Sequence, residues 1–189
     1  IRRLTEDGVM ELQQALVVKS LPRRVAVVSS ADAAGYEDFC NQLKYNRFGY
    51  VFYTKLYPAV MQGDQAARSI VHALGAIATQ EEEWDWVVII RGGGASTDLG
   101  CFDDYMLASH CAQFPLPIIT GIGHTRDVSV VDMVVHTSVK TPTAAAEWLI
   151  DCVAVQMAKV DGLLLRLQRA TQGAMNIQKN RLVLYQQRL

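Results

Sequence analysis

No apolar run in this 189-residue chain approaches the roughly 18 residues that a membrane-crossing helix needs. The longest, around Val25 and Val87, have strand length, so a soluble protein is expected. Cysteine is scarce: Cys40, Cys101, Cys111 and Cys152 show no C-x-x-C spacing, which points to small reduced core residues rather than a metal site or a disulfide framework. Net charge is almost absent, at −1, and gives no overall warrant for a polyanion binder. There is no G-x-G-x-x-G opening a first βαβ unit, no G-x-x-x-x-G-K-[ST], no G-x-S-x-G and no H-E-x-x-H. Those gaps exclude the common dinucleotide, P-loop, serine-hydrolase and zinc-protease readings.

What is present is a globular composition, 50% hydrophobic and 20% charged, enough to bury one sizeable core and to exclude disorder. The chain begins at Ile1 and ends within a helical pattern, and is expected to be a piece of a longer polypeptide. Its charge is divided unevenly. Residues 1–150 carry 12 Lys+Arg against 17 Asp+Glu, or −5, and 151–189 carry 6 against 2, or +4. A basic tail on an acidic body fits a polyanionic or acidic partner, and a solvated helix face equally well.

The apolar spacing predicts a helix over 4–19 ended by Leu21-Pro22, a buried strand over 24–29, and a small-residue turn into a helix through Leu43. A strand over 49–57, a helix over 63–80, a strand over 86–90, a helix over 99–113 and a strand over 117–120 follow. Strands alternating with helices imply an α/β fold with an open, mainly parallel sheet and helices on both faces. Residues 127–135 read as a helix, and Lys140-Thr141-Pro142-Thr143 as the start of another. From Val153 the positions Met157, Val160, Leu164 and Leu167 step by four and three, as in a heptad seam. The expected organisation is a core domain over 1–150 and a helical arm, the start of a coiled coil, over 151–189.

The most informative stretch is Ile89 to Asp98, IIRGGGASTD. A buried strand empties into an arginine and three glycines, so bare amides lie beside a guanidinium, as an approaching phosphate would require. A similar turn, Gly121-Ile122-Gly123-His124, ends the next strand. Ligands of open parallel sheets bind at the carboxyl ends of strands, where three loops offer different groups. The first brings Ser29, Ser30, Glu37 and Asp38. The second brings Arg91, the amides of Gly92, Gly93 and Gly94, Ser96 and Asp98; the third brings Gly121, Gly123, His124, Arg126 and Asp127. Cations and amides holding phosphate oxygens, a histidine exchanging protons and a carboxylate orienting it suit phosphodiester hydrolysis. Plainer roles are open too: Asp38 can complement a helix dipole and Asp98 can cap a helix. His72, His110 and His136 sit in apolar patterns and read as structural.

The motifs RVAVVSSADAAGYEDF (24–39), YPAVMQGDQAARSIVHAL (57–74), VVIIRGGGASTDLGCFDD (87–104), PIITGIGHTRDVSVVDMVV (117–135) and KTPTAAAEWL (140–149) resemble the catalytic core of the exonuclease VII large subunit family. The resemblance implies a cytoplasmic enzyme that degrades single-stranded DNA from both ends to oligonucleotides, in complex with several copies of a small helical subunit bound to the C-terminal helical region. It places the family's functional positions on Asp38, Arg91, His124 and Asp127. It also implies an N-terminal single-strand-binding OB domain, which is not expected within these 189 residues. Where the family commonly has glutamate after the site histidine, this chain has Thr125. No cofactor is expected, with Mg²⁺ kept as an alternative. Two other readings stand beside the nuclease: a non-catalytic phosphate- or nucleic-acid-binding module that serves a partner enzyme, and a structural hub whose exposed helical seam recruits small subunits or a second copy of the chain.

Overall fold

The computed structural model describes residues 1–19, 21–92, 100–123 and 128–186, with the side chains of 182–185 excepted. Five parallel strands form one sheet: β1 (Arg24–Ser29), β2 (Tyr53–Pro58), β3 (Trp86–Ile90), β4 (Ile118–Gly121) and β5 (Thr137–Val139), in the order β2-β1-β3-β4-β5. Every residue of β3 is buried, as expected for a central parallel strand covered on both faces. Alternation along the strands divides the core in two. Ala26, Val28, Val87, Ile89 and Ile118 face one layer, with Ile70, Leu74, Leu107 and Val131. Val25, Val27, Trp86, Val88, Ile90 and Ile119 face the other, with Phe39, Leu43, Ala145 and Leu149.

The helices follow from that division. α1 (Arg2–Glu6) precedes the sheet; α2 (Ala34–Lys44) and α6 (Pro142–Gln186) cover the second layer, and α3 (Ala66–Ala78), α4 (Tyr105–Ala112) and α5 (Val130–Val134) cover the first. The chain leaves β1 through α2 on one face and makes its remaining crossovers on the other. Right-handed crossovers demand this when the strand order reverses direction. The reversal lies between β1 and β3.

The helix expected over 4–19 is corrected: α1 stops at Glu6 because Gly8 takes a left-handed φ of 68°, and residues 10–15 form turns. Gln13, within those turns, is fully buried. Its Nε2 donates to the carbonyls of Phe114 (2.8 Å) and Leu116 (3.1 Å), and its Oε1 accepts from the Ile118 amide at 2.9 Å. The helix expected over 99–113 begins as a 3₁₀ turn (Gly100–Asp103), and α4 starts afresh at Tyr105. Asp104 divides them by accepting from the Leu107 amide at 2.9 Å, which is N-cap chemistry. The second strand is shorter than 49–57 and begins at Tyr53, since Asn46 ties the 46–50 turn through its side chain. The helix expected over 127–135 is the five-residue α5, fixed by a capping box between Ser129 and Asp132.

α6 runs unbroken for 45 residues. Its first three turns pack on the sheet through Ala145, Ala146, Leu149, Ile150 and Val153. From Met157 onwards every described residue is exposed.

Candidate functional site

Register aligns the carboxyl ends of the central strands. Val28 pairs with Ile89, Ile90 with Gly121, and Gly121 with Val139, so Ser29, Ile90, Gly121 and Val139 end at one edge. The Arg91 amide donates to the Gly121 carbonyl at 3.4 Å and carries the β3–β4 ladder one step past the strand. Arg91-Gly92 and Gly121-Gly123 are therefore neighbours on the same side of the sheet.

Three glycines show how tightly this edge is built. A Cβ on Gly35 would stand 2.8 Å from the Gly92 Cα, 2.9 Å from Pro142 Cγ and 3.0 Å from the Arg91 carbonyl oxygen. A Cβ on Gly121 would stand 2.9 Å from the Thr141 carbonyl oxygen. Gly123 has a φ of 88° and faces the Lys140 carbonyl, a backbone conformation that glycine adopts without penalty. The first turns of α2 and α6 thus close on the ends of β3 and β4. Both helices point their amino ends, the positive ends of their dipoles, toward this edge.

Of the residues that the sequence nominates, Arg91 is buried, 7% exposed, at the β1/β3 reversal. Gly92 lies against Ala33 and Gly35, and Gly121 and Gly123 line the adjoining strand end. Asp38 is exposed on α2, one turn in from the Gly35 contact. Gly93, Gly94, Ser96, His124 and Asp127 lie outside the described residues.

Sequence reasoning missed the brace that holds the segment after Asp127. Asp132 Oδ1 accepts from Thr120 Oγ1 at 2.6 Å and from Ser138 Oγ at 2.9 Å, while Oδ2 accepts from Ser129 Oγ at 2.8 Å. One carboxylate joins β4, α5 and β5 at the edge where Gly121 sits. The signal was the S-x-x-D spacing of a capping box, hidden within a run of valines. Lys140, read as part of a helix start, has its backbone carbonyl beside Gly123.

His136, one of the histidines read as structural, lies apart from this edge. His136 packs edge-to-face between Trp86 and Trp148 at 4.9 and 6.4 Å, near the amino end of β3, and burial lowers its pKa. All four cysteines are free thiols. Burial pushes Cys111 up to about 12, and burial with the nearby Asp151 carboxylate pushes Cys152 up to about 11, so neither is a ready nucleophile at neutral pH. Among the described residues no three His, Cys, Asp or Glu side chains gather as a metal site needs, and no helix is long and apolar enough to cross a membrane.

The fold and this edge define a doubly wound α/β protein whose strand order, 2-1-3-4-5, places a ligand crevice at the β1/β3 reversal. Its glycines, buried arginine and helix amino ends suit an anion. The comparisons agree on one family. The family described as "Exonuclease VII, large subunit" matches residues 9–189. The exodeoxyribonuclease 7 large subunit of Nostoc sp. is 33% identical over 187 residues, 95% of this chain and 45% of the relative. That of Lactobacillus helveticus is 33% identical over 180 residues, 95% and 40%, and that of Acaryochloris marina 37% over 145 residues, 77% and 34%. The chain belongs to the exonuclease VII large subunit family, and it spans less than half the length of these curated relatives. A solved lysine decarboxylase from Francisella novicida shares 13% identity at a TM-score of 0.39, over 70% of this chain and 17% of that one, and carries no weight.

Proposed function

We propose that residues 1–150 form the catalytic core of a nuclease that hydrolyses phosphodiester bonds of single-stranded DNA from both ends to oligonucleotides, and that 151–189 begin the arm on which small subunits assemble. The observation that carries the reading is the convergence of Arg91-Gly92 and the amino end of α2 on the β1/β3 reversal, with Gly121-Gly123 on the adjoining strand end, in a chain of this family. Arg91 and the Gly92–Gly94 amides hold the non-bridging oxygens and offset charge that develops in the transition state. His124 exchanges the proton as general acid or base, Asp127 orients its imidazole, and Asp38 positions the attacking water. Ser96, Gly121 and Gly123 shape the phosphate pocket. The roles need no cofactor, and the enzyme works in the cytoplasm.

Charge supports a division of labour. The −5 body attracts a polyanion poorly by itself, so DNA capture falls to regions beyond this chain. The arm supports the partner reading, since Val160, Leu163, Leu164 and Leu167 are each at least half exposed. Such a stripe at heptad spacing is stable in water when another helix covers it.

The test is cleavage of a labelled single-stranded oligonucleotide by the intact complex. His124→Ala should abolish cleavage while DNA binding persists; undiminished cleavage would remove His124 from the chemistry. Leu164→Asp should release the small subunit without lowering the melting temperature of the body.

A further inference from the structure

Ser29 closes β1 at the strand reversal and is fully buried, and its Oγ has no hydrogen-bond partner among the described residues. Leaving a hydroxyl buried and unpaired destabilises a fold, a cost that alanine at this position avoids. The direction of the side chain follows from the pleat. Val25 and Val27 face the layer of α2 and α6, so Ser29, two residues on, faces the same layer at its carboxyl end. That is where α2 starts, five residues later.

The start of α2 supplies the second observation. A helix leaves its first amides without intrahelical acceptors. At α6 the Thr141 hydroxyl accepts from the Ala144 amide at 3.1 Å, but at α2 the N-cap residue is Ala33, whose side chain accepts nothing. The same turn is pressed onto Arg91-Gly92 at the Gly35 contact. An unpaired hydroxyl, an uncapped helix start and a buried arginine therefore share one corner.

We propose that Ser29 Oγ and the Ala34 and Gly35 amides at the start of α2 form a phosphate subsite, in which the hydroxyl donates to one non-bridging oxygen of a DNA phosphodiester. This rests on reading the sheet edge as the phosphodiester site. It makes Ser29 a binding residue beyond Asp38, Arg91, His124 and Asp127, and gives the strand reversal a ligand contact on its β1 side. The unpaired hydroxyl is then a stability cost retained for binding.

The test uses the full-length large subunit with its partner subunit, in the variants Ser29→Ala, Ser29→Thr and Arg91→Ala. The substrates are oligonucleotides carrying a single Rp or Sp phosphorothioate. Ser29→Ala should raise KM about tenfold, the scale of one hydrogen bond to a charged oxygen, with an unchanged or higher melting temperature. It should also change the Rp/Sp preference, and Ser29→Thr should restore both. A KM and stereochemical preference unchanged in Ser29→Ala, while Arg91→Ala loses cleavage, would overturn the subsite and leave the nuclease reading standing. Full cleavage by Arg91→Ala would overturn the site reading and the subsite with it. A lower melting temperature in Ser29→Ala with no change in Rp/Sp preference would make Ser29 structural.

Discussion

The two halves of α6 obey the same helical geometry and meet opposite environments. Up to Val153 the helix buries Ala145, Ala146, Leu149 and Ile150 against the sheet; from Met157 every described residue is exposed, although Leu163, Leu164 and Leu165 are as apolar as anything in the core. Isolated helices are marginal in water, and most of their stability in proteins comes from packing an apolar face. The first turns of α6 are thus stabilised by packing on the sheet, and the described residues beyond them present an apolar stripe that nothing in this chain covers. Hydrophobicity alone does not decide burial; the presence of an opposing surface does.

The largest expected effect lies in the body and concerns chemistry. Arg91→Ala should lower cleavage of single-stranded DNA by about 10² or more, the scale of a lost charge-stabilising donor, and charge-neutral changes in the arm should leave the chemical step unchanged. Single-turnover rates would check this. An arm variant that slows single-turnover chemistry as much as Arg91→Ala does would erase the distinction between the two regions.

Glycine substitution sharpens the contrast, because it should change sign between them. At Gly35 a Cβ meets the backbone at 2.8 Å, so Gly35→Ala should destabilise the body by about 1–3 kcal/mol, as overpacking does. At Gly162, in the arm, a Cβ meets nothing within 4 Å, and Gly162→Ala should raise helix stability by about 1 kcal/mol. Thermal unfolding followed by near-ultraviolet signals for the first and helical signal for the second gives both values. Equal signs would refute the account of one or other glycine.

Acid should unfold the body before it affects the arm. Asp85 is pushed up by burial but more strongly pulled down by Lys19 at 2.7 Å and by the Arg24 and Arg23 amides at 2.9 and 3.0 Å, so its pKa lies below the usual range. A carboxylate of lowered pKa contributes its full stability above its unfolded value of about 3.9 and loses it as pH falls through the folded value. Asp85→Asn should cost about 2 kcal/mol at neutral pH, the scale of hydrogen bonds to a charged group, and less as the medium is acidified toward pH 2. A difference from wild type that grows on acidification would show the sign to be wrong.

Much of this fold was legible because buried parallel strands announce themselves: β1 and β3 lie at 24–29 and 86–90, where their apolar runs placed them. β5 was not, since Thr137–Val139 is three residues long and none is fully buried. The α1 expectation failed at Gly8, where periodicity in Val9 and Leu12 outvoted a residue that ends helices. At the site, the glycine turns and Arg91 were legible from type and order. The joining of Thr120, Ser129 and Ser138 by Asp132 was not, because it depends on which strands become neighbours, and although Ser29 was named at this edge, its buried, unpaired hydroxyl was not legible for the same reason.

In the proposed nuclease the scissile phosphate sits at the β1/β3 reversal. A crystal structure of the intact subunit with a short phosphorothioate oligonucleotide, locating sulfur by anomalous scattering, tests it most directly. A phosphate is expected beside Arg91 and the amino end of α2, within hydrogen-bond reach of Ser29. A phosphate bound at the opposite edge of the sheet, near Trp86 and His136, would contradict it.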